Sequence, residues 1–181
     1  MNYDCRRMVA FSFFLLGIGS TVYVSAAALN YLGFYPALDQ VQAKVASLTL
    51  AQSSSINQSN LIVLVKVSNP TGYSGLRIGD ISVTLSLYVE TNKSNTLFVA
   101  PDELFAKQII QDQLRPNSIY SASIPIELSP QQTAEITSFS SQYKGEVMAV
   151  VVFTVDIVTF LQSVTGPSQY TQTQYVTLST G

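Results

Sequence analysis

Hydrophobic and polar positions follow two different rhythms along this chain. From Met8 to Leu38 the sequence reads MVAFSFFLLGIGSTVYVSAAALNYLGFYPAL, thirty-one residues without Asp, Glu, Lys, Arg or His. A stretch that is apolar all round, with no alternation and no polar face, predicts one continuous helix. After Asp39 the period drops to two. QVQAKVASLTL leads into a first strand near Val45 to Leu50, and the polar stretch 51–60 ends it. LIVLVKVS (61–68) places Leu61, Val63, Val65 and Val67 on one face, and Asn69-Pro70 stops it, because Pro gives no N–H to a ladder. ISVTLSLYV (81–89) turns Ile81, Val83, Leu85, Leu87 and Val89 inward and Ser82, Thr84, Ser86 and Tyr88 outward.

ETNKSN is a turn, TLFVA a short strand, and LFAKQII (104–110) fits either a strand or a helical turn. IYSASIPIEL (119–128) faces Tyr120, Ala122, Ile124, Ile126 and Leu128 inward. Pro125 then falls on the outer face and marks an edge strand. Ser129-Pro130-Gln131-Gln132 is a helix start: Ser caps, Pro suits the first helical position, and Gln three after Ser completes a capping box. A short helix from Pro130 to about Ser140 follows. EVMAVVVFTVDIV (146–158) faces Val147, Ala149, Val151, Phe153, Val155 and Ile157 inward, while Val150 and Val152 leave its second face partly apolar. YTQTQYVTL (170–178) reads as a polar last strand at an edge. About seven strands, one short helix and no βαβ rhythm predict a mainly β fold of two antiparallel sheets packed face to face.

The apolar helix is longer than a membrane needs. Roughly 20 residues cross a hydrocarbon core of about 30 Å, and thirty-one reach about 46 Å, so the helix tilts or continues past the lipid surface. Gly17, Gly19, Ser20, Ser25, Ala26, Ala27 and Ala28 supply small side chains for close helix packing in lipid. Tyr31, Phe34 and Tyr35 are placed to sit at the lipid–water boundary, and Pro36 to loosen or end the helix. Arg6 and Arg7 precede the span, and no basic residue follows it until Lys44. The positive-inside rule then makes residues 1–7 a cytoplasmic tail, 8–38 a single transmembrane helix and 39–181 an extracytoplasmic domain of the cell membrane. Two other readings compete. A cleaved signal peptide would have an apolar core of only about 7–15 residues. A pilin-like leader would be cut near Arg7 and pack its helix inside a filament, with a small residue where Met8 stands.

Charge narrows the partners. Charged residues make up 11% of the chain, against about 25% in ordinary globular proteins. Residues 39–181 hold seven Lys/Arg and ten Asp/Glu, which is no footprint for nucleic acid. So few ionisable groups predict only a shallow loss of stability down to about pH 3. Cys5 is the sole cysteine; intrachain disulfides are excluded, and its place beside an apolar helix would allow acylation. Asn57-Gln58-Ser59 and Asn92-Lys93-Ser94 are glycosylation sequons in polar stretches, so Asn57 and Asn92 are the acceptor positions.

Catalytic chemistry is sparse. There is no histidine, which removes serine triads, imidazole acid–base work and His-metal sites. One cysteine cannot build a thiolate zinc site, and GLRIGD has neither the spacing nor the Lys-Ser/Thr tail of a phosphate loop. Asp80 and Asp102-Glu103 offer oxygen ligands for calcium, but so few ligands fit solvated loop acids better, and no metal or cofactor is expected. Asp156 falls on the outward face of a strand, where it suits a surface or partner contact. The ten tyrosines suit interfaces.

The run LIVLVKVSNPTGYSGLRIGDISVTLSLYVET resembles the type 2 late embryogenesis abundant (LEA) domain, also called the water-stress and hypersensitive-response domain. The resemblance rests on a hydrophobic strand ending in Asn69-Pro70, a short loop and an alternating strand. It continues through IYSASIPIEL and a helical segment to a Gly-led strand, covering roughly Val45 to Leu178. It implies a sandwich of the immunoglobulin or fibronectin type III kind, often behind an N-terminal membrane helix, and it brings no catalytic residues. The stretch from Thr91 to Lys107 is longer than that family's pattern. The expected role is therefore a non-catalytic, single-pass surface protein that contacts other membrane or cell-surface subunits. A strand-exchanging filament subunit and a lipid- or small-ligand-binding sandwich are the alternatives.

Overall fold

The computed structural model describes residues 3–52, 59–91, 95–98, 104–143, 146–159 and 168–180. The elements run α1 (Tyr3–Leu38), β1 (Gln42–Gln52), β2 (Ser59–Asn69), β3 (Arg77–Thr91), β4 (Asn95–Phe98), β5 (Leu104–Gln113), β6 (Ser118–Glu127), α2 (Pro130–Gln142), β7 (Met148–Val158) and β8 (Ser168–Thr180). The chain is mainly β behind one long apolar helix. Residues 104–110 resolve as strand, and β1 begins at Gln42, leaving only three residues between helix and sheet.

The strands are hydrogen-bonded in the order β4-β3-β7-β8-β1-β2-β6, with β5 also paired to β3. Two antiparallel blocks, β1-β2-β6 and β4/β5-β3-β7-β8, are joined where β1 and β8 run parallel over Leu48–Leu50 and Leu178–Thr180. The result is one mixed sheet, curled until β5 lies beside β6, nearly closed like a barrel. This corrects the edge position expected of the last strand: β8 lies between β7 and β1. Its polar alternation marks exposure of one face, with Thr171, Thr173, Tyr175 and Thr177 turned to solvent. β6 does end the sheet, and Pro125 sits exposed on its outer face as the pattern requires.

The interior is filled by the inward rows of the alternation. Leu61, Val63, Val65 and Val67 meet Ile81, Val83 and Leu85 and, on β7, Val151, Phe153, Val155 and Ile157, all essentially sealed from solvent. Each such side chain contributes about 1.5–3 kcal/mol on burial. Ser129 caps α2 by accepting from the backbone N–H of Gln132, whose side chain accepts from the Ser129 N–H in return. That helix closes one end of the core through Ile136. The other end is closed by α1.

Candidate functional site

The last turns of α1 form a joint with the domain. Asn30, Phe34, Ala37 and Val41 are buried, and Ala27, Tyr31, Gly33 and Leu38 are half-buried. Positions 27, 30, 34 and 37 repeat at spacings of three and four, the seam of a helix packed along one side, and Val41 follows just past the helix end. Leu29 and Leu32, off that seam, stay exposed. Phe34 thus belongs to the core instead of to a lipid boundary. Pro36 falls inside the final turn; the chain leaves the helix two residues later and tightens through Gln40 N–H to Ala37 O and Val41 N–H to Leu38 O.

The receiving surface is the loop after β2, and Asn69 builds it. Its side chain is fully buried and satisfied on both sides. Nδ2 donates to the carbonyls of Tyr73 (2.9 Å) and Leu114 (3.3 Å), and Oδ1 accepts from the N–H (3.0 Å) and hydroxyl (2.6 Å) of Thr71. An Asn before Pro therefore does more than stop a strand: it folds the loop so that Tyr73 projects at the helix. The Tyr73 hydroxyl donates to Asn30 Oδ1, and the ring lies so close to Gly33 that an added Cβ would come within 2.7 Å of it. Burial pushes the Tyr73 phenol above its ordinary value. Asn30 is the one amide in the apolar run, and that isolation is the signal for it in the sequence.

The rest of α1 has a different character. From Arg6 through Ala26 each side chain is exposed. Adding a Cβ at Gly17 or Gly19 would meet nothing within 4 Å; Ala26 is exposed and Ala27 begins the joint. Ser12 and Thr21 return their hydroxyls to the carbonyls of Met8 and Gly17, so their polarity is satisfied within the helix. Segment Arg6–Leu38 is long and apolar enough to cross a membrane.

A second region is the outer face of β5-β3-β7-β8. Cross-strand register sets Phe105, Thr84, Val152 and Thr173 in one row and Lys107, Ser82, Thr154 and Thr171 in the next. Phe105, Val152 and Tyr175 are exposed. Tyr88, expected to point outward into solvent, is covered instead: its hydroxyl reaches Met148 Sδ at 3.7 Å and Tyr175 packs edge-on at 6.4 Å. Towards the α1 end, β3 carries a bulge between Ile78 and Ile81, which re-aims Asp80. Lys107 Nζ lies 3.0 Å from Asp80 Oδ2, and this bond with its charge raises the Lys107 pKa. Asp156, expected at the surface, is half-buried beside them. Its Oδ1 is shut from solvent with no hydrogen-bond partner among the described residues. Burial first, then the Asp80 charge, raises its pKa against the opposing pull of Lys107 and of a Gln169 hydrogen bond. These groups line an open groove of about 530 Å3 with Arg77 and Ile109.

Among the described residues no three His, Cys, Asp or Glu gather as metal ligands. Asp80 is engaged by Lys107, whereas Asp102, Glu103 and both sequon asparagines, Asn57 and Asn92, lie outside the described residues.

Comparison with protein-family models gives no match, and comparison with curated proteins gives none. Solved structures do resemble the chain at low identity. A protein from Arabidopsis thaliana is 12% identical over 77% of this chain and 82% of its own, with a TM-score of 0.45. A protein from Archaeoglobus fulgidus is 12% identical over 76% and 94%, with a TM-score of 0.40. A candidate late embryogenesis abundant (LEA) protein is 12% identical over 91% and 88%, with a TM-score of 0.39.

Proposed function

We propose that the chain is a non-catalytic, membrane-anchored surface protein. Its helix crosses the bilayer from about Met8, residues 1–7 stay in the cytoplasm, and the β domain stands outside as a domain of the type 2 LEA kind that contacts neighbouring proteins. The observation that carries this reading is the division of α1: a bare part, uncharged from Met8 and long enough for lipid, continues without a break into turns docked on the domain. A helix meant for a soluble core would have its apolar positions covered. One meant as a loose tether would not be pinned by Phe34, Ala37 and the Tyr73–Asn30 bond. The order of elements from the Asn69-Pro70 strand to the helix before β7 is the order the LEA resemblance implies. The face bearing Phe105, Val152 and Tyr175 is the contact surface in this reading.

Cys5 makes the topology testable without removing a native residue. In intact cells a membrane-impermeant maleimide should leave Cys5 unlabelled but modify an introduced Ser123→Cys, exposed on β6 away from the proposed contact face; labelling of Cys5 from outside would reverse the orientation, and release of the chain by alkaline carbonate would end the anchor. A photo-crosslinking residue at Val152 or Tyr175 should yield discrete heavier species. Monomer alone at both positions would remove the contact role.

A further inference from the structure

The seam between β1 and β8 is open over half its length. The two strands pair only at Leu48–Leu50 with Leu178–Thr180 and diverge towards the α1 end. Gln174 bridges part of the gap, its Oε1 accepting from the Val45 N–H at 2.7 Å where a ladder bond would otherwise lie. Beyond that bridge the seam widens into a groove of about 410 Å3, lined by Gln42, Lys44, Lys66, Ser68, Tyr170 and Gln172 among others.

Two lysines face each other there. Lys44 and Lys66 are direct cross-strand partners in the β1–β2 ladder, and both point outward, since Ala43, Val45, Val65 and Val67 are buried. Like charges placed directly opposite repel. A neighbouring carboxylate would relieve this, but the flanking positions on that face are Gln42, Ser68 and Ser121. Neither lysine has an ion-pair partner among the described residues. Asp39, the nearest acid in sequence, lies in the turn before β1 and does not line the groove. Tyr170 donates its hydroxyl proton to Gln172 Oε1, and Gln172, whose amide also carries two N–H groups, lines the groove. In a chain with nine basic residues in all, this recess is lined by two lysines and no carboxylate.

We propose that this groove is an oxyanion site, in which Lys44 and Lys66 clamp a phosphate or sulfate group from two sides and Gln172 donates a third hydrogen bond. The bound anion removes the lysine–lysine repulsion, so occupancy stabilises the domain. The same chemistry would serve a free phosphate compound or a phosphate carried on a lipid headgroup. The proposal does not depend on the membrane reading.

The test uses the full chain in neutral detergent, with inorganic phosphate as the probe and sodium chloride of matched ionic strength as the control. Phosphate should raise the melting temperature saturably and broaden its own phosphorus NMR line. Lys44→Gln and Lys66→Gln should each weaken apparent affinity about tenfold, the loss of one charge-assisted contact. Both should also melt higher than the parent when no anion is present, a gain that a misfolded variant could not show. Lys107→Gln, on the far face, should bind as the parent does. A parallel arm in nanodiscs separates the sources: stabilisation by phosphatidylglycerol over phosphatidylcholine, without a response to free phosphate, assigns the site to a headgroup. No saturable response in either arm, or an undiminished response in the Lys44→Gln/Lys66→Gln double variant, overturns the proposal.

Discussion

The two parts of α1 are alike in composition and opposite in circumstance. Leu15, Leu16, Val22 and Val24 in the first part are as apolar as Phe34 and Ala37 at the end, yet the former touch nothing that covers them while the latter are sealed into the core. The difference lies in periodicity and in one amide. The first part is apolar around its whole circumference, so no side of it is favoured for docking. The last turns carry a seam at spacings of three and four, and Asn30 on that seam has a hydroxyl waiting for it. Hydrophobicity alone thus tells where a helix avoids water, while the spacing of large, small and polar positions tells what else can cover it.

The widest gap between the two parts should appear in paired truncations. Phe34→Ala removes a buried ring from the joint and should destabilise the domain by about 3–5 kcal/mol. Leu16→Ala, at an exposed position, should change the same chemical melt in detergent by less than about 0.5 kcal/mol. Equal effects would erase the distinction.

Next comes the loop that receives the helix. Asn69→Ala leaves the Tyr73 and Leu114 carbonyls and the Thr71 N–H without their partner. The expected loss is about 2–3 kcal/mol, with hydrogen exchange rising first at residues 70–76. Protection unchanged in that loop would mean Asn69 does not hold it.

A smaller and more local effect is expected at Gly33. In Gly33→Ala the new methyl meets the Tyr73 ring, which the Asn30 bond prevents from swinging freely aside. A cost of about 1–3 kcal/mol follows, and the Asn30–Tyr73 contact should be lost with the strands intact. The same change at Gly17 should be neutral for domain stability.

The smallest effect lies on a face the helix does not touch, which makes it a control for the joint. Asp156 holds its proton more tightly when folded than when unfolded, by burial and by the charge of Asp80. Stability from this group is therefore greatest at low pH. It falls as pH rises from the ordinary carboxylate value of about 4 through the raised one. In Asp156→Asn that fall should vanish, a gain below about 1 kcal/mol at neutral pH given the site's partial exposure. Lys107→Met, by removing the cation that lowers the Asp156 pKa, should push the titration higher still. A pH profile identical in all three proteins would remove this account of the cluster.

Much of the architecture could be read from the chain by itself. Alternation named the inward rows of β2, β3, β6 and β7, and Ser129 to Gln132 announced α2 with its cap, because these follow from local backbone geometry and from the face a side chain must turn to water. Thirty-one uncharged positions announced the long helix for the same reason. What the folded chain decided concerns neighbours that sequence distance hides. The parallel bridge between β1 and β8 made an inner strand of one that looks like an edge. Tyr175 and Met148 covered Tyr88, and a bulge brought Asp80 and Lys107 to Asp156. Lys44 and Lys66 were set face to face by a register that depends on where β1 and β2 pair. Period and polarity are properties of a segment, whereas register, coverage and charge proximity are properties of a pair, and pairs exist only once the chain has closed on itself.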